Sequence, residues 1–118
     1  MKILETGFKG LIVIKPSIYT DPRGYFFESF NQASFESAGI NFSPVQDNES
    51  KSVKGTIRGL HYQLNPFPQA KLIRVVAGKI LDVALDIRSD SLTFGKWFGI
   101  ELDSENKDQL LIPHGFAH

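Results

Sequence analysis

Four side chains in this sequence have types and spacings that could do proton chemistry. Arg58 and His61 stand three apart in "GTIRGLHYQ", Lys71 follows in "AKLIRVVAG", and His118 closes "IPHGFAH". An imidazole with an unperturbed pKa of about 6.5 can remove a proton near neutral pH. An ammonium fixed in a dry pocket can stabilise the oxyanion that forms when a proton leaves a carbon next to a carbonyl. A guanidinium fork can clamp an anionic group such as a phosphate. The chemistry these types describe together is proton abstraction α to a carbonyl.

Such groups work only if rigid elements aim them, and the sequence around them is strand-like. "GLIVIKP" is apolar, β-branched and stopped by Pro16; "DPRGYFFESF" opens on a turn and then alternates. "NQASFESAGI" predicts one short helix, with Asn31 as its N-cap and Gly39 just past its end. "GTIRGLHYQ", "KLIRVVAG", "KILDVALDI", "KWFGIELDS" and "LLIPHGFAH" read as strands, with turns at "NPFPQ", "SDSLTFG" and "ENKDQ". Within "KILDVALDI", Leu81, Val83, Leu85 and Ile87 form the expected inward face, which leaves Asp82 and Asp86 on a solvated outer face. Trp97 and Phe98 are expected in the core or at a dimer interface. Arg74 and Lys79 read as exposed strand charges, and His114 as a loop histidine. Strict alternation separates Arg58 from His61. If Gly59 makes a bulge, both reach one face; if not, Arg58 lies on the surface. The same alternation turns Tyr62 away from His61.

The expected fold is all-β, a barrel or sandwich with one short helix. A chain of 118 residues predicts one domain, with a strand region over 1–45 and a barrel core over 46–118. It stops straight after an apolar strand and a Pro-Gly turn, as a piece of a longer chain with an incomplete barrel would. Thirteen basic residues balance thirteen acidic ones, so no nucleic-acid partner is expected. No apolar run approaches the roughly 20 residues of a membrane span. With no cysteine, disulfides and thiolate chemistry are excluded, and a cytoplasmic location is expected.

Gly55, five residues, His61-x-Gln63, then Lys71, six residues, Gly78, and finally Pro113-x-Gly115-x-x-His118 resemble the two motifs of the cupin barrel. Gln63 stands where the pattern has its second histidine, and Lys71 where it has glutamate. An ammonium repels a divalent cation and an amide is a poor transition-metal ligand, so a metal-free jelly-roll site is expected. A fixed positive charge is left in the cation's place.

Longer strings carry a narrower resemblance. "DPRGYFFESF", "VQDNES", "GTIRGLHYQ", "QAKLIRVVAGKILDVALDIR", "TFGKWFGIEL" and "LLIPHGFAH" are similar to the dTDP-4-dehydrorhamnose 3,5-epimerases over nearly the whole chain. The resemblance implies a homodimeric cupin without metal or organic cofactor. It implies epimerisation at C3 and C5 of dTDP-4-dehydro-6-deoxy-D-glucose through enolate-like intermediates. It gives His61 the role of base and Lys71 that of enolate stabiliser, and matches Arg58 and His118 to sugar- or diphosphate-contacting positions. It matches Gln46 and Asn48 to nucleotide- and phosphate-binding positions. Arg23, Phe26 and Glu28 match the segment that one subunit lends to its neighbour's thymidine site, with Phe26 as a stacking plate. It places the tyrosine general acid and the aspartate that orients the base beyond residue 118. The alternatives are a sugar-nucleotide ketoisomerase and a cupin that binds the sugar nucleotide without chemistry.

Overall fold

The apolar run at residues 11–14 is buried on both sides, and the rest of the architecture follows from that. A computed structural model describes residues 1–118. In chain order the elements are β1 (Lys2–Glu5), β2 (Ile12–Lys15), β3 (Ile18–Asp21), β4 (Gly24–Phe27), α1 (Gln32–Ser37), β5 (Lys71–Arg74), β6 (Lys79–Asp86), β7 (Trp97–Asp103), β8 (Gln109–Ile112) and β9 (Phe116–Ala117). They form a four-stranded sheet ordered β1-β2-β8-β5, a three-stranded sheet ordered β7-β6-β9, and a separate hairpin, β3-β4. All pairings are antiparallel.

Because strand side chains alternate, β2 and β8 serve two cores at once. Leu11, Val13, Leu110 and Ile112 face the three-stranded sheet and meet Ala84, Leu102 and Phe116. Ile12, Ile14 and Leu111 point the other way, onto Phe35, Ile40 and Phe42 around the helix. A sheet covered on both faces needs apolar residues at successive positions, which is what "GLIVI" and "QLLI" supply. The helix is six residues long and is held by its ends and one ring. Asn31 Oδ1 accepts from the Ser34 amide at 3.0 Å, Gly39 takes φ +76°, and Phe35 packs edge-on to Phe30 at 4.8 Å. No helix is long and apolar enough to cross a membrane.

Two expectations are overturned. "GTIRGLHYQ" does not join a ladder along its length; residues 43–67 are exposed and irregular apart from turns. Its composition suits a strand, but Gly55 and Gly59 at φ +88° and +100° break the extended path, and only His61 finds a partner backbone. In β6 the buried face is the opposite one. Asp82, Ala84 and Asp86 point inward, while Leu81 is 73% exposed. Trp97 is likewise exposed, and Phe98 packs against the core beside Phe8. "MKILE", given no element above, forms β1 at the edge of the larger sheet.

Buried carboxylates are tolerable because fixed donors meet them. Asp86 accepts from Arg88 Nε at 2.9 Å and Nη2 at 2.7 Å, from the Arg88 amide at 3.0 Å, and from the Ser91 and Thr93 hydroxyls at 2.6 Å each. The Arg88 guanidinium, helped by both hydroxyls, holds the Asp86 carboxyl well below the usual carboxylate range against the opposing effect of burial. Because its folded pKa is depressed, the folded chain binds fewer protons here than the unfolded chain. The stabilisation is therefore present above the unfolded value of about 3.9 and is lost as pH falls below it. Asp86→Ala strands the guanidinium and is expected to cost about 3–5 kcal/mol at pH 7, read from urea unfolding. Asp86→Asn should flatten the fall in wild-type stability below about pH 4. An unchanged acid limb in that variant would show that this cluster does not set it.

Candidate active site

Separated groups emerge when the candidate residues are located. One surrounds a cavity of about 160 Å³ lined by His61, Tyr62, Gln63, Gln69, Lys71 and the Gly115–Phe116 turn. The others lie on the β3-β4 hairpin and its stem or in the exposed segment 43–67, and do not line that cavity.

Lys71 opens β5 and is half-buried. Its partner opposite is Ile112 of β8, so a strand inside the larger sheet fixes its backbone. Its Nζ lies 3.4 Å from His118 Nδ1, and His118 Nε2 lies 2.7 Å from Asp82 Oδ1. An ammonium can only donate, so Nδ1 is the acceptor and the Nε2–H donates to the carboxylate. The result is a directed chain from Lys71 through His118 to Asp82. Asp82 is 4% exposed, and its second oxygen, Oδ2, has no hydrogen-bond partner. The buried negative charge holds the imidazole's tautomer, and the imidazole in turn holds the lysine's charge over the cavity.

His61 is placed differently. It sits in the exposed segment, and its backbone exchanges two hydrogen bonds with His118: His61 N to His118 O at 2.7 Å and His118 N to His61 O at 2.8 Å. These two bonds form a single bridge that fixes the backbone of His61 at the cavity that Lys71 also lines. The bridge explains Gly59. A Cβ there would stand 3.1 Å from the His118 carbonyl oxygen and would also have to tolerate φ +100°. The far side of His118 is anchored as well. Phe116 pairs with Asp86, Ile87 N donates to the Gly115 oxygen at 3.0 Å, and the Arg88 guanidinium lies 4.6 Å over the Phe116 ring. The Asp86–Arg88 cluster therefore braces the short strand that carries His118.

Arg58 does not join this group. Gly59 does not bring its fork round: Nε donates to Ser52 Oγ at 2.8 Å and Nη2 to the Lys51 oxygen at 3.3 Å, so it folds back along its own segment. Gln46 and Asn48 are exposed and bonded to each other at 3.1 Å. Arg23 and Phe26 lie on the exposed hairpin, Arg23 at its turn paired with Asp21 at 2.6 Å. Phe26 is 70% exposed, and Glu28 accepts from Asn31 at 2.7 Å. Tyr62 lines the same cavity as His61, contrary to the expectation from alternation, which fails once the segment is not a strand. Asp82 is the functional candidate that sequence reasoning missed. It was visible only as one of two acids spaced four apart on a strand, a pattern that a solvated face shares.

No three His, Asp or Glu side chains converge as a metal-binding group. Lys71 brings a fixed positive charge to the cavity that His61 also lines, an arrangement suited to stabilising charge on a substrate oxygen.

Comparison with known proteins puts this geometry in context. The family model for dTDP-4-dehydrorhamnose 3,5-epimerase matches residues 5–118. A dTDP-4-dehydrorhamnose 3,5-epimerase from Shigella flexneri is 54% identical over 119 aligned residues, covering 100% of this chain and 66% of the relative. Two solved structures superpose closely. The dTDP-4-dehydrorhamnose 3,5-epimerase of Bacillus anthracis, with TDP and PPi bound, gives a TM-score of 0.95 at 48% identity, covering 99% of this chain and 67% of that one. The dTDP-6-deoxy-D-glucose-3,5-epimerase of Legionella pneumophila, in complex with dTDP-4-keto-L-rhamnose, gives 0.93 at 51%, covering 99% and 62%. The chain thus spans about two-thirds or less of the length of these relatives. The all-β architecture is the cupin-type fold of these epimerases. Matched along all but its first four residues, the chain belongs to the dTDP-4-dehydrorhamnose 3,5-epimerase family.

Proposed function

We propose that this chain carries the proton-abstracting face of an epimerase that inverts C3 and C5 of dTDP-4-dehydro-6-deoxy-D-glucose, giving dTDP-4-dehydro-L-rhamnose. The observation that carries the proposal is the Lys71–His118–Asp82 chain beside His61, with its 3.4 Å and 2.7 Å contacts. His61 takes the proton from the carbon next to the C4 carbonyl. The electron pair moves onto the C4 oxygen, and the ammonium of Lys71 meets the charge as it develops. Reprotonation from the opposite side of the sugar completes each inversion. The relatives' names support this substrate, and so does the complex of the Legionella enzyme with dTDP-4-keto-L-rhamnose. Arg23, Phe26 and Glu28 form the nucleotide arm, Gln46 and Asn48 bind the nucleotide and its phosphate, and Arg58 and His118 contact the sugar or diphosphate. The protein works as a cytoplasmic homodimer of single cupin-like domains. In support of a dimer, the arm is held out from the body, and Leu81 and Trp97 lie exposed on the outer face of the smaller sheet.

Incubation with the substrate in deuterated water tests the reaction. Deuterium is expected at both C3 and C5 by NMR. Label at C4 instead would leave a sugar-nucleotide ketoisomerase, no label at all a sugar-nucleotide-binding cupin, and label at C3 or C5 alone a single-centre epimerase.

A further inference from the structure

We propose that the turn between β7 and β8 aims the β3-β4 hairpin, with Lys107 and Gln109 as positioning residues for the nucleoside diphosphate that the arm receives. The role rests on the reading of Arg23, Phe26 and Glu28 given above. Within its own chain the hairpin pairs with no other strand, so no backbone bond to the rest of that chain sets its angle. Nor does apolar packing seal it to the body. A cleft of about 290 Å³ separates Tyr25 from the turns at Val76–Gly78 and Ser104–Lys107. Phe30 plants the outgoing stem in the core beside the helix, which fixes a pivot but not a direction.

Three consecutive residues, the last two of the β7-β8 connection and the first of β8, supply the direction. Gln109 is 1% exposed and pairs with both Ile14 and Arg74 in the larger sheet; its side-chain amide donates to the Ser29 carbonyl at 2.8 Å, where the chain leaves the hairpin. Asp108 binds Lys15 Nζ at 2.5 Å, just before the chain enters it. Lys107 crosses the cleft, placing its ammonium 4.3 Å from the Tyr25 ring centre and 6.0 Å from that of Phe27. Lys107 does so from φ +61°, a left-handed conformation that a lysine adopts only when its surroundings impose it, and its Nζ also bonds the Ser104 carbonyl. Entry, face and exit of the hairpin are thus gripped by residues 107 to 109. Glu28 is tied to the N-cap Asn31 at the hairpin's stem, so a change of hairpin angle moves Arg23 and Phe26 relative to Glu28.

The test combines amide hydrogen exchange with titration of dTDP, using wild type, Lys107→Ala, Lys107→Arg and Gln109→Leu. A two-stranded hairpin alone is marginal in water, so protection of its ladder reports its docking. In Lys107→Ala, amides between Tyr19 and Phe27 are expected to exchange about three- to fivefold faster, with β6 and β7 unchanged, and dTDP binding should weaken by a similar factor. Lys107→Arg should restore both, because a guanidinium also stacks on an aromatic ring. Gln109→Leu should weaken dTDP binding without slowing turnover at saturation; if it does not fold, the Lys107 pair decides. Wild type that binds dTDP while Lys107→Ala binds it equally well overturns the inference. Wild type that binds no dTDP overturns the nucleotide reading instead. In that case exchange accelerated only in the hairpin keeps the tether alone, and unaccelerated exchange removes that too.

Discussion

Alanine in place of His61 is expected to lower epimerisation roughly 10²–10⁴-fold, the usual share of general base catalysis. The fold should survive. The chain uses His61 structurally through its backbone, in the two bonds to His118, and alanine keeps both. The residue is exposed, so no cavity opens when the ring is removed. Binding of dTDP should persist as well, because the hairpin residues assigned to the nucleotide do not line the cavity that His61 lines. The measurement is initial rate, together with deuterium uptake at C3 and C5 and circular dichroism. Exchange at both carbons should fall in step with turnover. A folded variant with wild-type uptake would remove His61 from the chemistry, and an unfolded one would make it a structural residue.

Lys71→Ala is expected to cost on the order of 10²-fold or more, comparable to the loss of one strong oxyanion donor. The loss should fall on kcat, with KM little changed, because the interaction grows only as charge reaches the carbonyl oxygen. The lysine is poised for this by what lies behind it. Asp82 orients His118, and His118 accepts from Nζ, so the amine is held in place before substrate arrives. Lys71→Met, which keeps the apolar stem, should lose as much as alanine and thereby separate charge from packing. Unchanged turnover in both variants would end the enolate argument.

How far these residues could be read in advance depended on whether their neighbours are local. The helix was legible to its caps because Asn31, Ser34 and Gly39 act within one or two turns of each other. Strands β2, β6, β7 and β8 were legible because β-branched and alternating residues mark them wherever they pack. The inward face of β6 was not. Alternation shows that two faces differ, and hydrophobicity then favoured the leucines. The carboxylates turn inward because Arg88 sits beside Asp86 and because His118, far along the chain, reaches Asp82. Likewise "GTIRGLHYQ" has a strand's composition, but a strand needs a partner along its length, and here the partner is one residue wide. His61, Lys71 and His118 were found together through motif spacing, which registers a shared fold. Asp82 carried no such signature.

The paired backbones of residues 61 and 118 have a consequence for how this segment can change over evolutionary time. One pinned point in a long exposed stretch divides it into two independent loops. The closure cost of a flexible loop rises only logarithmically with its length. Insertions or deletions after Gln63 therefore cost little closure energy and leave the backbone of His61 where it was. A single inserted residue between Gly59 and His61 would put a different residue into the pairing with His118. Length variation after Gln63 is therefore cheap, and within that tripeptide it is not.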